Sequence, residues 1–136
     1  MSMTDSPRVL LIYPKIPDGT YWSLSHSLPY THKKSVMPPL GLVTIAAMLP
    51  GAWEVRLVDE NVEPLAPADL EWADAVMLSA MVIQKERLGE IAAAAKKQGL
   101  PVIAGGPYPT QYYEEIAHVD HFVLNEAESG TLAAFL

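Results

Sequence analysis

Hydrophobic positions in this chain alternate between two kinds of run. Val9-Leu10-Leu11-Ile12-Tyr13 is continuously apolar and β-prone, the pattern of a strand covered on both faces of a parallel sheet. From Pro38 the period changes. Leu40, Val43, Thr44 and Ala47 share one helical face, with Leu42, Ile45, Ala46 and Leu49 beside them. Pro38-Pro39 open that helix where missing N–H groups cost little, and Pro50-Gly51 stop it. Glu54-Val55-Arg56-Leu57-Val58 then alternates, predicting a less buried strand at a sheet edge. A short helical patch lies between Asn61 and Ala73, and Ala75-Val76-Met77-Leu78 forms a third strand. Gln84 to Gln98 is an amphipathic helix. Its Leu88, Ile91, Ala92 and Ala95 follow the i, i+3, i+4, i+7 rule, while Lys85, Glu86, Glu90, Lys96 and Lys97 largely face water. Gly99 caps it and Pro101 leads into a fourth strand that ends at Gly105-Gly106. Pro109 to Ala117 predicts a short helix, His121-Phe122-Val123-Leu124 a fifth strand, and Glu126 to Leu136 a last helix.

Strands alternating with helices imply right-handed βαβ units around a parallel sheet. For 136 residues the expected solution is a single α/β domain with a flavodoxin-like, doubly wound, five-stranded parallel sheet in the order 2-1-3-4-5. Such a sheet places its ligand crevice at the carboxyl ends of strands one and three. Pro14 to Met37 has no sustained period, yet it carries Pro14, Pro17, Gly19, Tyr21, Trp22, Pro29 and Tyr30. Loops of this length in compact domains are usually functional or disordered. The aromatic residues favour the former, and a loop that only covers the sheet edge is the plainer alternative.

Composition narrows the chemistry. Half of the residues are hydrophobic, mean hydropathy is +0.14, and the net charge is −7 with a pI near 4.9. Basic residues do not cluster beyond Lys33-Lys34 and Lys96-Lys97, so the chain is expected to bind no nucleic acid. It has no cysteine, which excludes disulfides, thiolate catalysis and Cys-ligated zinc or iron–sulfur centres within it. No apolar run is long enough for a transmembrane segment, and the first residues lack the order of a signal peptide, so a cytoplasmic location is expected.

The most informative stretch is Val102-Ile103-Ala104-Gly105-Gly106-Pro107-Tyr108-Pro109-Thr110, an apolar run ending in two glycines at a strand's carboxyl end. Glycine allows positive φ there and lets a bulky ligand lie against the backbone. Asp59-Glu60-Asn61 follow the second strand, where an acidic residue would hold ribose hydroxyls in a dinucleotide-binding fold. The required Gly-x-Gly-x-x-Gly after the first strand is absent, as is a P-loop. A phosphorylated receiver needs an Asp at the end of strand three, where Leu78-Ser79 stands.

Several short motifs, in order, carry a resemblance. They are Pro38-Pro39-Leu40-Gly41-Leu42 with Ile45-Ala46-Ala47, and Val58-Asp59-Glu60-Asn61-Val62. Leu78-Ser79-Ala80-Met81 with Gln84, the run from Ala104 to Thr110, and Asp120 to Leu124 with Glu126-Ala127-Glu128 complete them. The chain resembles the N-terminal cobalamin-binding domain of cobalamin-dependent radical SAM proteins, in the hopanoid-methylase-like branch. The resemblance implies that the corrin lies over the carboxyl ends of the strands and that its dimethylbenzimidazole tail inserts beside the sheet. On that basis Ser79 in the Ser79-Ala80-Met81 turn bonds the tail, and Gly105 and Gly106 make room for it. The expected cofactor contacts are Tyr13, Pro14, Trp22, Ser79, Ala80, Met81, Gln84, Gly105, Gly106, Pro107 and Tyr108. Plainer readings have Ser79 capping the next helix and the glycines merely turning the chain before Pro107.

Many such domains carry Asp-x-His-x-x-Gly after the first strand, whose histidine becomes the lower cobalt ligand. Here that position reads Pro14-Lys15-Ile16-Pro17-Asp18-Gly19-Thr20, and Leu24 stands where His26 would need its Asp. The resemblance therefore implies cobalamin held base-off with no histidine ligand. His26 and His32 are imidazoles of a type that suits cobalt, but they lack a close third ligand for a preformed metal site. His118 and His121 flank the fifth strand. Tyr21, Trp22 and Tyr30 either pack on the corrin or pin the loop.

In relatives of this type a C-terminal radical SAM barrel binds S-adenosylmethionine and holds a [4Fe-4S] cluster through three cysteines, a residue that this chain lacks. Two roles follow. The chain is either the methylcobalamin-binding module of a radical SAM C-methyltransferase, with its barrel partner domain outside this sequence, or a cobalamin-free docking or substrate-shaping domain or free-standing binding protein. The apolar end of Leu132, Ala133, Phe135 and Leu136 suits docking to another domain or packing on the sheet's own flank.

Overall fold

In a computed structural model, residues 6–17 and 39–124 are described. The expectations for Trp22 and the rest of the 18–38 loop, and for the helix after Glu126, lie outside them. The elements run β1 (Arg8–Tyr13), α1 (Leu40–Met48), β2 (Glu54–Asp59), α2 (Pro67–Trp72), β3 (Ala75–Ser79), α3 (Lys85–Lys97), β4 (Val102–Gly105), α4 (Pro107–Tyr112) and β5 (His121–Val123). One 3-10 turn, Val82–Gln84, leads into α3, and another, Tyr113–Glu115, follows α4. All pairings among the five strands are parallel and their order is β2-β1-β3-β4-β5, the doubly wound flavodoxin-like arrangement expected.

The runs explain the layers. β1 and β3 are central, so both faces of each are covered, and Val9 to Ile12 and Ala75 to Leu78 are buried throughout. β2 lies at the edge with an alternating, mostly open pattern, as its sequence predicts. Strand alternation sorts the core into two layers. Leu10, Ile12, Val76, Leu78, Val102 and Ala104 pack under Leu70 of α2, Leu88, Ile91, Ala92 and Ala95 of α3, and Tyr108 of α4. Val9, Leu11, Tyr13, Ala75, Met77 and Ile103 pack under Leu42 of α1 and the adjoining Leu49.

Two helices differ from expectation. α1 carries no charge, and it buries Leu42, while Leu40 and Val43 are exposed. α4 begins at Pro107 rather than Pro109, because the chain turns at Gly106 and Pro107 fits the first helical turn.

One device recurs at the amino edge of the sheet. The Asp74 carboxylate accepts the Arg8 N–H at 2.8 Å, and the Asp74 N–H donates to the Arg8 carbonyl at 2.7 Å. Asp120 repeats this on Val102, 2.8 Å for each bond, and its other oxygen takes Lys96 Nζ at 2.8 Å. Each Asp immediately precedes a strand and fixes it beside its neighbour. The Arg8 main-chain hydrogen bond holds the Asp74 carboxyl below its ordinary value, and the Lys96 ammonium does the same for Asp120. A depressed folded-state value means stability that is present above the unfolded value and lost as pH falls through the folded one. Acid denaturation is therefore expected to steepen below about pH 4, and Asp120→Asn flattens that limb of the curve.

Candidate functional site

The carboxyl edges of β1, β3 and β4 meet where the strand order reverses. Ser79 ends β3 and lies in register with Gly105, which ends β4. Both continue the α1-facing alternation of Met77 and Ile103. On that face the edge therefore carries a hydroxyl and a bare backbone instead of large side chains. The Ser79 Oγ is flanked by two glycines. A Cβ on Gly106 would stand 2.7 Å from it, and one on Gly41, at the start of α1, would stand 4.0 Å away. Ser79 is half-buried, and its hydroxyl has no hydrogen-bond partner among the described residues. It caps no helix: the cap positions of the 3-10 turn and of α3 are Met81 and Gln84.

The glycines also answer to the protein itself. A Cβ on Gly105 would stand 2.9 Å from the Val123 carbonyl oxygen of β5. Gly106 has φ +95° and ψ −176°, a backbone region open essentially to glycine alone. Its turn brings the Tyr108 N–H to the Ala80 carbonyl at 3.0 Å.

The structure gathers Tyr13, Pro14, Ser79, Ala80, Met81, Gln84, Gly105, Gly106, Pro107 and Tyr108 at this one edge, in different roles. Ser79 and Gly106 are half-buried and Pro107 is exposed. Ala80 is buried, and its carbonyl is held by Tyr108. Tyr108 is in the core of the opposite layer, with its hydroxyl on Glu115 at 3.1 Å. Burial, and then the Glu115 carboxylate, push its phenol above the ordinary value. Tyr13 is buried beneath α1, and burial followed by the Asp59 charge raises its phenol likewise. Gln84, only 1% exposed, has its carboxamide taken up by Pro14 and Met81.

His118 and His121 lie just before and at the start of β5, on the amino edge opposite this site. Among the described residues no three His, Cys, Asp or Glu side chains form a metal cluster.

Sequence reasoning missed a second group. Glu60 and Asn61 grip the chain leaving β1, and Asp59 holds Asn61. Glu60 accepts the Lys15 N–H at 3.2 Å and is forked by Arg87 at 2.9 and 2.7 Å. Asn61 accepts the Ile16 N–H at 2.9 Å. The available signal was the Asn61 N–H to Asp59 Oδ1 bond at 2.9 Å, the Asx-type turn that an Asp two residues before an Asn favours.

Among the described residues no helix is long and apolar enough to cross a membrane. Comparison with known proteins gives consistent relatives. The chain is 41% identical over 123 residues to an uncharacterized methyltransferase of Synechocystis sp., covering 89% of this chain and 23% of that protein. It is 35% identical over 127 residues to the hopanoid C-2 methylase of Rhodopseudomonas palustris, covering 93% and 24% respectively. It is 28% identical over 96 residues to the bacteriochlorophyllide d C-12(1)-methyltransferase of Chlorobaculum tepidum, covering 70% and 21%. The chain thus spans about a quarter of the length of these relatives. Residues 30–135 match the B12 binding domain, and the chain belongs to that family.

Proposed function

We propose that this chain holds cobalamin, base-off and without a histidine ligand, as the cytoplasmic cofactor module of a radical SAM methyltransferase. The supporting observation is the unpartnered Ser79 hydroxyl between Gly41 and Gly106, in register with Gly105 at the carboxyl edge. A large, mostly apolar nucleotide tail needs a slot free of side chains with one or two polar anchors, and this face supplies both. Ser79 bonds the tail, Gly105 and Gly106 give it room, and Pro107 and Met81 border it. Pro14, where the chain leaves β1, belongs to the loop side of the crevice. Bound methylcobalamin supplies a transferable methyl group; the chain's own residues hold and orient it.

The reading of a base-off cofactor without a histidine ligand draws on the sequence after β1, where Pro14-Lys15-Ile16-Pro17-Asp18-Gly19-Thr20 stands in place of Asp-x-His-x-x-Gly. The parent reaction also needs cysteines, none of which this chain contains. They, the [4Fe-4S] cluster and S-adenosylmethionine belong to a C-terminal radical SAM barrel in the longer protein, consistent with relatives about four times this length.

A second reading, a cobalamin-free docking or substrate-shaping domain, draws on the glycines. The Val123 carbonyl accounts for the missing side chain at Gly105, and positive φ with the Ala80 backbone accounts for it at Gly106. Incubation with hydroxocobalamin, desalting and a visible spectrum separate the two. Stoichiometric retention with a base-off spectrum is expected; complete loss of colour supports the second reading.

A further inference from the structure

We infer that Gln84 and Asn61 are positioning residues that clamp the Pro14–Ile16 segment and thereby set the geometry of the cofactor crevice, an inference that rests on the cobalamin reading above. The observation is a set of side-chain and main-chain hydrogen bonds on a stretch that has left the sheet. The Tyr13 carbonyl accepts the Glu60 N–H at 3.0 Å. The Pro14 carbonyl accepts Gln84 Nε2 at 2.6 Å and Asn61 Nδ2 at 3.4 Å. The Lys15 and Ile16 N–H groups donate to Glu60 and Asn61 at 3.2 and 2.9 Å. Proline has no N–H, so the carbonyls of Tyr13 and Pro14 and the N–H groups of Lys15 and Ile16 are all paired. Strand pairing ends at Tyr13 opposite Asp59. Beyond that point side chains, rather than a ladder, determine the path.

The clamping side chains are themselves held. Asn61 Nδ2 is 2.9 Å from Asp59 Oδ1, and the Glu60 side chain, 6% exposed, sits in the Arg87 fork. Gln84 does more than its neighbours. Its Oε1 accepts the Met81 N–H at 2.8 Å while its Nε2 holds Pro14. One buried carboxamide therefore spans the exits of β1 and β3, the pair of strands between which a doubly wound sheet opens its ligand crevice. Gln84 is a strut in the floor of that crevice, and its polar atoms are spent on the protein. It fixes where Pro14 and Met81 stand relative to Ser79. Asn61 fixes the direction in which the chain departs toward Pro17.

The test uses the full chain with Gln84→Met, which keeps side-chain length and apolar packing but loses both bonds, and Asn61→Ala at a half-exposed site. Amide hydrogen exchange and hydroxocobalamin affinity are measured at a temperature where unfolding curves show every variant fully folded. Gln84→Met is expected to lose exchange protection at Met81, and Asn61→Ala at Ile16. Each is expected to weaken cobalamin binding by about tenfold, the scale of one buried hydrogen bond. A merely structural role would lower the unfolding midpoint and leave that affinity unchanged. Unchanged affinity in both variants beside a binding parent overturns the positioning role alone, as does unchanged amide protection. Failure of the parent chain to retain cobalamin overturns the cobalamin reading and this role with it.

Discussion

Gly106→Ala is expected to destabilise the chain by about 3 kcal/mol, the upper range for strain at a glycine-only conformation. Two effects act together. At φ +95° an L side chain is strained whatever the space around it. The added Cβ would also stand 2.7 Å from Ser79 Oγ, and 3.1 and 3.2 Å from the Ala80 N and O atoms. The serine hydroxyl can rotate away, but the Ala80 backbone cannot, because it is tied to Gly105 and Tyr108. Urea denaturation of the variant and parent measures the difference. A loss below about 0.5 kcal/mol, the scale of an ordinary surface substitution, would show that this turn is not built as described.

The second large effect falls on binding and leaves stability nearly untouched. Ser79→Leu is expected to abolish cobalamin retention, because the branched side chain fills the space that Gly41 and Gly106 leave open beside the hydroxyl. Ser79→Ala removes only the hydroxyl and should weaken binding by roughly three- to tenfold, the scale of a single neutral hydrogen bond. Ser79 is half-buried at a strand end and bonds nothing among the described residues, so neither change removes an internal interaction. Gel filtration of each variant with hydroxocobalamin reads both outcomes. Full retention by Ser79→Leu would move the tail away from this face.

The two effects separate what the edge does for the fold from what it does for a ligand. Gly106 serves the turn first, whereas the Ser79 hydroxyl bonds nothing among the described residues. That division was only partly legible in the sequence. α3 was legible because Leu88, Ile91, Ala92 and Ala95 stand at helical spacing against charged neighbours, and those four are its buried residues. The topology followed from alternating periods, and the edge position of β2 from its mixed pattern. α1 was legible as a helix but not in its orientation: with no charged residue to mark a wet face, nothing indicated that Leu42 would be buried and Leu40 left 69% exposed.

The start of α4 was misplaced for a local reason. Pro109 looked like a helix opener, but the positive φ of Gly106 completes the turn earlier and Pro107 takes that place. The clamp could not be read at all. Gln84 meets Pro14 across 70 residues and Asn61 meets Ile16 across 45, and no local period encodes such meetings. The sequence reading of Gln84 was a direct cofactor contact; in the structure its buried carboxamide bonds Pro14 and Met81.

The central claim is that this carboxyl edge holds cobalamin with no histidine on the cobalt. Its most direct test is electron paramagnetic resonance of the retained cofactor after reduction to cob(II)alamin. The account predicts a cobalt signal that stays with the desalted protein and shows no nitrogen splitting on its high-field lines. Triplet splitting of those lines, which would place an imidazole or the benzimidazole tail on the metal, would contradict it, and so would a desalted protein with no cobalt signal.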